Sequence, residues 1–121
     1  MAIPTLIYCA GGNKQFIRIA VEAGFFYGAQ LPNTIYPDIA SLYFADQDWR
    51  NPNRKRYMAA LAKQRPYMAT ALDWEQENQL DEVLDWAEEV AQYVNVVLII
   101  PKVIGGIARL PRHIAGVNVR L

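Results

Sequence analysis

Short apolar runs recur along this chain, and each stops abruptly at acidic, amide or glycine residues. The clearest is Val96 to Ile100, five apolar residues, mostly β-branched, that end at Pro101-Lys102. A run that short and that continuous reads as a strand buried on both faces, as in a parallel sheet. Thr5 to Ala10, Phe25 to Ala29, Leu42 to Ala45, Tyr67 to Leu72 and Val117 to Leu121 follow the same grammar.

Between the runs the period changes. Asn13 is a good helix N-cap; Phe16, Ile17, Ala20 and Ala23 follow at helical spacing, and Gly24 is a natural stop. Asn51-Pro52-Asn53 opens a second helix through about Gln64, with Tyr57, Met58, Leu61 and Ala62 inward. The strongest amphipathic pattern is the third. Leu80, Val83, Leu84, Ala87, Val90, Ala91 and Val94 form one stripe, with five acids opposite. Trp86 is placed on that helix's surface or at an interface. Thr34 to Ser41 reads as irregular, and a short helical turn is expected around Ile107 to Leu110.

Strands alternating with helices imply βαβ units, a parallel sheet and right-handed crossovers within one α/β domain, residues 1–121. Two architectures carry that pattern. One is the N-terminal half of a (βα)8 TIM-type barrel; the other is a flavodoxin-like doubly wound sandwich. The pattern breaks off on an apolar strand at Leu121. The half barrel is therefore favoured, either continued in a longer chain or covered by a partner such as a second copy.

At 121 residues there is room for one core. Twelve basic residues balance twelve acidic ones, so no global field draws nucleic acid or an anionic membrane. Locally, Arg50, Arg54, Lys55, Arg56, Lys63 and Arg65 crowd one segment and leave a nucleic-acid face open as an alternative to a solvated helix surface. A single cysteine and a single histidine, Cys9 and His113, exclude an internal disulfide and a Cys/His zinc site. No signal-peptide pattern or membrane-length apolar run is present, and a cytoplasmic location is expected.

In both architectures ligands bind where parallel strands end. Every unusual polar cluster falls there: Gly11, Gly12 and Asn13; Gln30 and Asn33; Asp46, Asp48 and Trp49; Asp73, Trp74 and Glu75; then Lys102. Asp48 and Asp73 are the catalytic candidates, as acid and base. Asp46 and Glu75 can join them in hydrogen-bonding the amide edge of a nucleobase or in holding Mg2+. Helix capping and solvation are the plain alternatives. Gly11-Gly12-Asn13 can cradle a phosphate or simply cap a helix, Trp49 and Trp74 can stack on a flat ring or pack against helix ends, and Lys102 can bind an anion. Cys9 reads as structural rather than nucleophilic. No cofactor is indicated, and no metal is assigned.

The segments DWEQENQLDEVLDWAEEVAQYV and VVLIIPKVIGGIARLP resemble uncharacterised phage and bacterial proteins that look like relatives of the tRNA-guanine transglycosylase barrel. The resemblance covers residues 66–111 best. It implies a (βα)8 barrel, a transferase reaction exchanging a base through a nucleophilic aspartate, and a guanine or deazapurine pocket. The family's Asp-Ser-Gly-Gly-Phe stretch is absent, as are its zinc ligands, so the resemblance places the nucleophile on no residue of this chain. Two functions follow: a nucleobase-binding barrel or half barrel, or a non-catalytic α/β module that self-associates.

Overall fold

The computed structural model describes residues 4–9 and 11–121. Among these, parallel strands alternate with helices. They run β1 (Ile7–Tyr8), α1 (Lys14–Glu22), β2 (Phe26–Leu31), β3 (Leu42–Gln47), α2 (Arg54–Gln64), β4 (Met68–Thr70), α3 (Leu80–Val90), β5 (Val96–Leu98), β6 (His113–Ile114) and β7 (Val117–Arg120). The sheet order is β1-β2-β3-β4-β5-β7-β6, parallel except for the β6–β7 hairpin. The expected α/β fold and parallel sheet are therefore present. The first five strands lie side by side in chain order, with no reversal. A doubly wound sandwich needs a point where the order reverses, so the flavodoxin-like alternative does not describe this chain.

Caps set the helix ends. Asn13 Oδ1 accepts the N–H groups of Gln15 and Phe16, at 3.0 and 3.2 Å, and Asn53 Oδ1 accepts that of Arg56 at 3.1 Å. Gly24, at φ 98°, stops the chain behind α1 as the sequence predicts; Arg65, at φ 47°, ends α2. Ahead of α3 the Gln79 side chain accepts from the N–H groups of Glu75 and Gln76.

Strand alternation divides the sheet into two unlike faces. Tyr27, Ala29, Leu31, Ala45, Ala69, Ala71, Val97, Ile99 and Val119 form a single core with Ile17 of α1, Tyr57, Met58 and Leu61 of α2, and Val83, Ala87 and Val90 of α3. All three helices thus cover one face, which is what right-handed crossovers between strands laid down in one direction require. The other face carries Phe26, Gly28, Gln30, Phe44, Asp46, Met68, Thr70, Leu98 and Arg120, and no helix lies over it. Most of its side chains are half-buried or exposed. The Val96–Ile100 run is buried on both faces only at its start, where Val96 and Val97 are both buried. Farther along, Ile99 lies under helices, whereas Leu98 is half-buried and Ile100 exposed, because only one face of the sheet carries helices.

Boundaries moved for local reasons. β2 extends through Gln30 and Leu31, and β3 through Asp46 and Gln47, because Gln30 pairs with Asp46 and Leu31 with Gln47. Polar residues read as loop are thereby drawn into strands. β4 stops at Thr70, β5 at Leu98, and the expected end of the first strand, Ala10, lies outside the described residues. The β6–β7 turn, Ala115-Gly116, takes φ values of 50° and 79°; β7 is the expected strand at Val117 to Leu121, whereas the two-residue β6 paired against it was not anticipated.

The basic run and the acidic helix complement each other. Arg54 Nε lies 2.7 Å from Glu89 Oε1 and its Nη1 2.7 Å from Asp85 Oδ2, so part of the cationic stripe is spent on joining α2 to α3. Trp86, expected on the helix surface or at an interface, is only 5% exposed and lies between α3 and α2. α2 crosses over it, bringing Tyr57 to 6.3 Å between ring centroids.

At Gly28 the neighbouring side chains leave no room for a Cβ. A Cβ there would meet Ile7 Cγ2 at 2.7 Å and Cys9 Cβ and Phe44 Cδ2 at 3.1 Å. Gly28→Ala is expected to destabilise the fold by about 1–3 kcal/mol through overpacking, read as a lower urea midpoint with an unchanged m-value.

Candidate functional site

Adjacent residues of β3 serve opposite faces. Asp46 points to the open face and Gln47 to the helical one. Thr70, at the end of β4, ties them together: its hydroxyl donates to Asp46 Oδ1 at 3.0 Å and accepts the Gln47 N–H at 3.0 Å. From the helical side the Tyr57 hydroxyl donates to the Thr70 carbonyl at 2.7 Å. Burial pushes the Tyr57 hydroxyl's pKa up, so it stays a donor. Desolvation also raises the Asp46 carboxyl; the Thr70 hydrogen bond works against this, while the neighbouring charges of Asp73 and Asp48 add to it.

Next along the rim, Trp74 extends the sheet. Its N–H donates to the Ile100 carbonyl at 3.1 Å, and its carbonyl accepts the Lys102 N–H at 2.8 Å. This pairing sets Asp73 and Glu75 beside Lys102. Lys102 Nζ lies 3.0 Å from Asp73 Oδ2 and 3.3 Å from Glu75 Oε1, and these two carboxylates raise its pKa. Asp73 is 7% exposed. Trp49, 47% exposed, completes the cluster, with Lys102 Nζ 5.4 Å and the Arg50 guanidinium 4.9 Å from its ring centroid.

On the other side of Asp46 a cleft of about 260 Å3 is lined by Cys9, Gly11, Gly12, Gln30, Asn33 and Asp46. Desolvation, and secondarily the Asp46 charge, raise the Cys9 thiol, which keeps it protonated at neutral pH and agrees with the non-nucleophilic reading. A shallower groove of about 660 Å3 lies apart from the carboxylates, beside β7 and the Ile107–Arg109 turn.

The structure therefore brings Asp46, Asp73, Glu75, Lys102 and Trp49 together, with Gly11 and Gly12 across the cleft. Asn13 and Asp48 are occupied as caps. Asp48 Oδ1 accepts the N–H groups of Arg50 and Asn51 at 3.2 and 3.3 Å. Trp74 cannot stack on a ligand: it is 0% exposed, donates its indole N–H to the Gln76 carbonyl, and packs against Gly106. Gln30 was placed on the rim but given no role, and Thr70 and Gln47 were missed as site residues. Thr70 left one signal, a hydroxyl inside the apolar run Tyr67 to Leu72. Among the described residues, no group of His, Cys, Asp and Glu is placed to hold a metal ion, and no helix is long and apolar enough to cross a membrane.

Residues 20–120 match a family model described as a family of unknown function, DUF6610. The chain belongs to that family. No curated protein and no solved structure matches it. Most of the rim described above, from Gln30 to Lys102, lies inside the matched segment. Cys9, Gly11 and Gly12 lie ahead of it.

The raised Asp46 carboxyl gives a pH signature. The folded protein holds that proton more tightly than the unfolded chain, so ionising Asp46 costs folding stability as pH rises from the unfolded value, about 3.9, through the folded one. Asp46→Asn is expected to be more stable than the parent at neutral pH, the gap closing as pH falls below about 4. Urea titrations at several pH values check this; a gap that widens toward acid contradicts it.

Proposed function

We propose that the chain forms one side of a (βα)8-type barrel and binds a nucleobase-like ligand on the open face at the strand ends, with Asp46 as the principal contact. One observation carries the reading. Asp46 and Gln30 are register partners on adjacent parallel strands, and both line the same cleft. A carboxylate beside a carboxamide offers acceptors and a donor in one row, the complement of the N–H, N–H and carbonyl edge of a guanine or deazaguanine. Thr70 holds the carboxylate in place. Strands laid side by side in chain order support the barrel geometry, and Lys102, paired with Asp73 and Glu75, is the cation of the neighbouring rim.

Base recognition is the part of the transglycosylase-like expectation that this geometry favours. Asp73, ion-paired and buried, acts here as the anchor of Lys102; Asp48 acts as a turn cap. Guanosine monophosphate and free 7-deazaguanine are the probes. Removing a charge-assisted hydrogen bond costs about 1.5–3 kcal/mol, so Asp46→Asn is expected to weaken their binding by roughly 10- to 100-fold, measured by calorimetry, with adenosine monophosphate as the non-binding control. Equal binding of the parent and Asp46→Asn, or binding of neither probe, defeats the assignment.

A specific feature favours a second reading. Phe26 of β2 lies tilted against Tyr43 of β3, which stacks on Tyr67 just ahead of β4, with centroids 4.6 and 5.1 Å apart, and Phe26 and Tyr67 are exposed. A second copy covering these rings would bury them. Sedimentation at micromolar concentration is expected to show a dimer that Tyr43→Asp dissociates; a monomeric parent protein removes this reading.

A further inference from the structure

Behind the rim, on the helical face, Gln47 is 1% exposed, and among the described residues neither its Oε1 nor its Nε2 has a hydrogen-bond partner. Buried carboxamides are seldom left this way, since each unpaired polar group costs free energy. Gln47 lines a cleft of about 200 Å3 together with Asp48, Asn51, Asn53, Arg56 and Tyr57. That is well above the 10–15 Å3 or so that a single water needs.

The walls have a definite polarity. The cleft opens at the N-terminus of α2, an eleven-residue helix, whose first N–H groups have no intrahelical acceptor. Asn53 Oδ1 takes the N–H of Arg56, and the positive end of the helix stands beside the cleft walls Asn53 and Arg56. The helix end and the Arg56 guanidinium together favour an anionic group. Asp48 is also on the wall, and its bonds to Arg50 and Asn51 both fall on Oδ1, so a bare anion would meet an uncompensated carboxylate. Gln47, too, asks for a donor and an acceptor at once.

We propose that this cleft binds a free α-amino acid. Its carboxylate would face the α2 N-terminus and Arg56, and its ammonium group Asp48 and Gln47 Oε1, while Gln47 Nε2 donates to a carboxylate oxygen. Charge and hydrogen-bond demand on every wall are then met by one small zwitterion. This site lies on the opposite face of β3 from Asp46 and does not depend on the nucleobase reading.

The test uses the 15N-labelled chain titrated with individual L-amino acids and, separately, with inorganic phosphate. At least one amino acid is expected to shift the Gln47 side-chain amide resonances and to raise Tm, while phosphate does neither. Gln47→Met, which keeps the side chain's length and removes both orphaned atoms, is expected to raise Tm without ligand and to lose the ligand-induced increment. Arg56→Ala should lose that increment too. No response to any amino acid, a response to phosphate alone, or an undiminished increment in Gln47→Met overturns the proposal.

Discussion

Thr70 is the point on which the two faces of the sheet depend. Its hydroxyl donates to Asp46 and accepts from the Gln47 backbone, while its carbonyl receives the Tyr57 hydroxyl. One buried residue thus joins β3, β4 and α2; its bonds to Gln47 and Tyr57 are buried and the one to Asp46 is half-buried. In that setting each hydrogen bond is electrostatically stronger than in water, and each partner left unpaired would be correspondingly costly. The position and proton affinity of Asp46 follow from this arrangement.

The same geometry explains why a candidate site can exist on so small a domain. Three helices on one face give the chain a core, and alternation along β2 and β3 then places Gln30 and Asp46 on the uncovered face with Leu31 and Gln47 beneath α2. Ligand-facing and core-facing groups are neighbours in sequence yet separated by the thickness of a sheet. The Arg54 pairing with Asp85 and Glu89 closes the helical layer on the far side. Much of the local charge therefore serves packing rather than recognition.

Much of the fold was legible from residue pattern. Helical caps at Asn13 and Asn53, the stop at Gly24 and the stripe of α3 are local devices whose physics involves residues within one or two turns. The apolar runs located every parallel strand, but not its length: Asp46 and Gln47 became strand only because a partner strand offered backbone hydrogen bonds in register. Only β6 escaped notice, because a two-residue strand, His113–Ile114, is too short to show any period. For Trp86 and Trp74 the sequence left an exposed and a packed reading open, since large aromatic rings are buried by whichever element crosses them.

By itself, the sequence determined that this would be an α/β chain with polar residues gathered at strand ends, because hydrophobic period and capping are local properties. Only the tertiary structure decided the strand order, and with it the single helical layer and the open face. It alone distinguished the acids that cap turns from the one desolvated beside Thr70. Those outcomes rest on contacts between residues far apart in the chain, such as Gln47 with Thr70 and Lys102 with Asp73, and no spacing along the sequence encodes them.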